Sequence, residues 1–105
     1  MMKPKSILTL LACISVCCAS AQIQKEYINP GPGYTQVVAV KAGNTKTIYV
    51  SGQVGEGADL EAQLRSSFAN LKKQLADAGA DFRDVVKMTT YIVKYEEKDL
   101  DTFRK

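Results

Sequence analysis

A proline- and glycine-punctuated hairpin pattern constrains this chain most. Asn29-Pro30-Gly31-Pro32-Gly33 cannot sit in a helix or a central strand, because the prolines remove backbone donors and the glycines admit positive φ. Two runs rich in Val, Ile, Tyr and Thr follow, residues 34–41 and 47–51, with Ala42-Gly43-Asn44-Thr45-Lys46 between them. Such runs read as strands, and a glycine-containing connection of about four or five residues reads as a hairpin. The two-residue period places Ile48 and Val50 on one side of the sheet and Tyr49 and Ser51 on the other. Residues 22–27 form a short polar lead suited to an edge strand.

The next element has a helical period. Leu60, Leu64, Phe68, Leu71, Leu75 and Ala78 recur three or four positions apart along one face, with Asp59 placed to cap the start and Gly79 to close the end. Lys72 and Lys73 fall in its C-terminal half, where cations complement the dipole. Residues 81–84 read as a helical turn leading into a third strand over residues 85–93. Residues 96–105 open a second helix, with Leu100 and Phe103 as its first apolar positions and Glu96, Glu97, Asp99 and Asp101 as an acidic first turn without calcium-loop spacing. A helix ending in its second turn is too short to be stable alone. The expectation is a C-terminally incomplete chain, poorly stable and inactive by itself.

The N-terminus reads as a signal peptide over residues 1–21: Lys3 and Lys5 precede a short apolar run, and Ala19-Ser20-Ala21 is a small-x-small cleavage signal before Gln22. The run is too short for a membrane span. The alternative is a lipoprotein signal, Leu10-Leu11-Ala12-Cys13, which would lipidate Cys13; the shortness of the run before Cys13 favours the first reading. Export, periplasmic or secreted, is the resulting expectation. Cleavage after Ala21 would leave 84 of the 105 residues and remove all three cysteines, so the product would hold no thiol or disulfide. With no histidine in the chain, soft metal sites and Ser-His or Cys-His nucleophile pairs are excluded within it. Removing Lys3 and Lys5 takes the basic residues from 14 to 12 against 11 acids, a net charge of +1 that argues for neither nucleic acid nor an anionic membrane. Residues 22–105 are then one domain, and a domain of this size buries only roughly 60% of its unfolded surface. Oligomerisation is the expected remedy.

Several pieces occur in a telling order: Tyr34-Thr35-Gln36, Ala42-Gly43-Asn44, Ile48-Tyr49-Val50-Ser51-Gly52-Gln53, Gln63, Asn70-Leu71, Ala78-Gly79 and Asp84-Val85-Val86-Lys87-Met88-Thr89-Thr90-Tyr91. The set resembles the Rid (YjgF-type) family of imine deaminases, also described as L-PSP endoribonuclease-like. The resemblance implies an α+β, chorismate-mutase-like subunit, a mixed sheet with two helices on one face, assembled as a homotrimer with ligand clefts between subunits. It implies a hydrolase that converts small 2-imino or enamino acids to 2-oxo acids and ammonia without metal or organic cofactor. Tyr34, Ser51 and Gly52 match positions that line the family's cleft and meet a small carboxylate. The carboxylate-gripping arginine and the water-positioning glutamate would lie beyond Lys105, and Arg104 does not match that arginine. Gly33 is an extra residue in the family's usual Gly-Pro-Tyr opening and changes how Tyr34 is presented. The rival, from a different class, is a non-catalytic trimeric module that binds a small metabolite.

Other constellations are weaker. Gly52-Gln53-Val54-Gly55-Glu56-Gly57 precedes a helix but lacks the Gly-Lys-Ser/Thr ending of a phosphate loop. Glu56 could serve Ser51 as a general base or stand as a solvated loop carboxylate. Lys41, Lys46 and Lys94 could flank an RNA groove, but at a net charge of +1 scattered lysines do not carry one.

Overall fold

The computed structural model describes residues 22–105; the expected signal segment lies outside them. Three antiparallel strands, β1 (Gln24–Gly31), β2 (Tyr34–Ala42) and β3 (Thr45–Val50), form a sheet in the order β1-β2-β3. Pro32 and Gly33 make the first turn, with Gly33 at φ 77°. Proline followed by a positive-φ glycine is the sequence a type II turn requires. The second turn is tighter than the sequence suggests, since Gly43 and Asn44 alone connect β2 to β3 and Gly43 takes φ 59°. β1 also runs further than its polar lead suggests, and Pro30 is tolerated in it because β1 is an edge strand.

Pairing of Val37 with Ile28 and Val50, and of Ala39 with Glu26 and Ile48, sets these side chains on one face. There Val37 and Ala39 are buried, as are Leu75 and Ala78 at the C-terminal end of α1 (Leu60–Asp77). Asp59 caps α1 by accepting from the Ala62 amide at 2.8 Å. At the other end Ala80 N donates to Leu75 O and Gly79 N to Ala76 O, with Gly79 at φ 77°. This is a Schellman closure, at the glycine the sequence pointed to.

Three long-range hydrogen bonds from two sheet residues tie the helix end to the sheet. Lys46 Nζ donates to the Ala78 carbonyl at 2.6 Å, and Asn29 Nδ2 donates to Gln74 Oε1 and Asp77 Oδ2, both at 2.8 Å. Asn29 lies in β1 at φ 53°, the left-handed conformation that asparagine adopts more readily than other non-glycine residues.

A 3₁₀ turn, Phe82–Asp84, follows, closed by a capping box between Asp81 and Asp84. Residues 85–93, expected as a third strong strand, join no ladder, and Val86, Tyr91 and Val93 are almost fully exposed. Their composition favours a strand, but a strand exists only beside a partner whose backbone groups it satisfies. The described sheet is therefore antiparallel throughout. Helix α2 spans Asp99–Arg104, starting three residues later than its acidic run. Its Phe103 and the turn's Phe82 meet Phe68 of α1 at ring separations of 6.3 and 6.0 Å. The architecture is α+β.

Candidate functional site

Tyr34 opens β2 directly after the Pro32-Gly33 turn and pairs with Gly31. Its ring lies over Gly31, where an added Cβ would come within 2.6 Å of the ring. The glycine is thus what lets the tyrosine fold back on the hairpin, while Tyr34 itself stays 57% exposed.

Ser51 follows β3 and extends the ladder by donating its amide to Gln36 O at 2.8 Å. Its hydroxyl donates to the Thr35 carbonyl at 2.6 Å. Ser51 and Tyr34 therefore occupy the same end of the sheet, linked through the residue next to Tyr34. The hydroxyl proton is committed to the backbone, which leaves the oxygen of this exposed side chain as an acceptor. Gly52 faces open space, with nothing within 4 Å of where a Cβ would stand.

Gln53 Nε2 bridges Gln36 Oε1 and Ser51 O, each at 2.9 Å, and so braces the same corner. No role for Gln36 and Gln53 was visible in the sequence beyond their place in the ordered motifs.

Glu56 does not join this corner. Its amide donates to Ser66 Oγ on α1 at 3.2 Å, which draws the loop along the helix. The Asp59 carboxylate already occupies the N-terminus of α1, so no anion cradle of the phosphate-loop kind forms there. Lys41 and Lys46 are cross-strand partners and, with Lys25 and Glu26, line an open depression of about 490 Å³ that Lys94 does not border. A second depression of about 410 Å³ is bordered by Tyr91, Ile92, Leu100 and Phe103. Neither is lined by Tyr34, Ser51 or Gly52.

Two carboxylates have close local partners. Lys73 and Asn29 hold the Asp77 carboxyl below its ordinary value, and the Arg83 guanidinium does the same for Asp81. Among the described residues, no group of three or more acidic side chains is placed to hold a metal ion, and no helix is long and apolar enough to cross a membrane.

The family model for Endoribonuclease L-PSP matches residues 24–103. The chain belongs to the Rid (YjgF, L-PSP) family. A RutC family protein of Pyrococcus abyssi (strain GE5 / Orsay) is 40% identical over 83 residues, covering 71% of this chain and 58% of the relative. The chain thus spans somewhat more than half the length of that relative. No solved structure matches.

Proposed function

We propose that the complete protein is a Rid-type imine deaminase acting on small 2-imino acids. Water adds to the imine carbon, the C–N bond of the resulting carbinolamine breaks, and a 2-oxo acid and ammonia leave. The observation that carries this reading is the convergence of Tyr34, Ser51 and Gly52 on one end of the sheet, within a chain of this family. In this reading Tyr34 and Gly52 border the substrate, and the Ser51 oxygen accepts from the imine N–H or from the attacking water. No arginine among residues 22–105 is assigned to the substrate carboxylate: Arg65 pairs with Glu61, Arg83 pairs with Asp81, and Arg104 ends α2.

The cleft is proposed to lie between subunits of a homotrimer. Tyr27, Val38 and Tyr49 are cross-strand neighbours on the sheet face away from α1, and both tyrosines are 61% exposed. An exposed apolar ladder of this kind suits a second copy. We further propose export by residues 1–21, with a product beginning at Gln22. N-terminal sequencing of the secreted or periplasmic protein checks that start.

Ammonia release from 2-iminopropanoate, generated in situ by an amino-acid oxidase, tests the reaction. The second reading is a metabolite-binding module without turnover, favoured by the commitment of the Ser51 proton to Thr35 O. It predicts stabilisation by pyruvate and no acceleration of hydrolysis.

A further inference from the structure

Four polar residues of α1, Gln63, Ser66, Ser67 and Asn70, fall at the spacing of a single helix face, where solvation would be the ordinary expectation. Instead each bonds the backbone of the loop between β3 and α1. Gln63 Nε2 donates to Gly57 O at 3.1 Å, Ser67 Oγ to Gln53 O at 3.0 Å and Asn70 Nδ2 to Val54 O at 3.2 Å, while Ser66 Oγ accepts from the Glu56 amide. Gly55 lies so close to the helix that an added Cβ would come within 1.8 Å of the Gln63 carbonyl oxygen. The loop is thus a strap held to α1 by side chains, and it leaves the sheet at Ser51 and Gly52.

We infer that this stripe is a positioning device for the proposed ligand site: Ser67 and Asn70 fix Gln53 and Val54, and through them the place of Ser51 and Gly52. The link to the site is short, because Gln53, whose carbonyl Ser67 holds, also bonds Ser51 O and Gln36 with its side chain. None of the four stripe residues touches ligand in this scheme. The inference rests on the proposed function for its readout.

Asn70→Asp keeps the shape of the side chain and replaces the donor to Val54 O by an acceptor. In the complete protein, amide hydrogen exchange at Ser51 and Glu56, whose amides are held by Gln36 O and Ser66 Oγ, is expected to quicken about fivefold or more, the equivalent of one net hydrogen bond. KM for 2-iminopropanoate is expected to rise by a similar factor, with kcat changed less. Ser67→Ala should behave likewise and Ser67→Thr should restore the wild-type values, since the hydroxyl returns. Glu61→Gln, on an exposed residue of the same helix, is the control and should change neither readout.

Unchanged loop exchange in Asn70→Asp overturns the strap. Faster exchange with unchanged KM and kcat overturns the positioning role alone and leaves the deaminase reading standing. If the wild type turns nothing over, the same comparison is made on the Kd for pyruvate, where an unchanged Kd overturns the positioning role. A wild type that neither turns over the imine nor binds pyruvate ends both proposals.

Discussion

Asn29→Ala should destabilise the protein well beyond what an exposed edge-strand residue ordinarily costs. The side chain donates to Gln74 and Asp77, and Gln74 is only 8% exposed, so its Oε1 loses its donor. Leaving that acceptor unpaired costs about 1–2 kcal/mol, while the bond to the exposed Asp77 carboxylate adds little. Alanine must also hold φ near 53°, in the left-handed region, at about 1 kcal/mol more. The sum is about 2–3 kcal/mol. Asn29→Gly loses the same bonds without the backbone strain and should cost about 1 kcal/mol less than alanine. Urea unfolding followed by circular dichroism measures both, as a lowered midpoint at constant m-value. An alanine variant within about 0.5 kcal/mol of wild type, or a glycine variant as costly as alanine, would refute the reasoning.

Three further outcomes follow from local geometry. Asp59→Ala removes the N-cap of α1 and should cost about 1 kcal/mol in the same assay, with Asp59→Asn retaining most of it. Gly55→Ala must push the strap off the Gln63 carbonyl; a loss of about 1–3 kcal/mol is expected, and quicker proteolysis at residues 52–57 should accompany it. The Asp77 carboxyl is held below 3.8 by Lys73 first and Asn29 second, so the stability it contributes is present above that value and lost as pH falls through its lower folded pKa. Lys73→Met should move the carboxyl titration, read by NMR, upward towards 3.8, and the difference from wild type should vanish in acid below the folded value.

The parts legible in the sequence were those fixed by local chemistry. Helix α1 was marked by its leucine spacing and by Asp59 and Gly79, and the structure caps it at both. The β2–β3 hairpin followed from its composition, although Gly43 turns it in fewer residues than the five-residue connection suggests. Residues 85–93 show the limit of such reading. Alternation and β-branching supply a strand's propensity, but ladder pairing depends on which neighbour arrives, and β3 does not take this segment. Asn29 was hidden for a related reason, since its partners lie 45 and 48 residues away. The stripe of Gln63, Ser66, Ser67 and Asn70 had no sequence signature as a strap, because polar side chains that bond water and those that bond a covering loop have the same composition. The family resemblance singled out Tyr34 and Ser51 as residues, while their meeting at one end of the sheet and the bracing by Gln36 and Gln53 become visible only with the strand register.

The central claim is most directly tested by supplying the complete protein with 2-iminopropanoate and following pyruvate and ammonia together against the uncatalysed reaction. Both are expected to appear in equal amounts and at an accelerated, saturable rate, lowered by substitution at Tyr34 or Ser51. Hydrolysis at the uncatalysed rate, in protein that is folded and stabilised by pyruvate, would contradict that claim and leave the metabolite-binding module in its place.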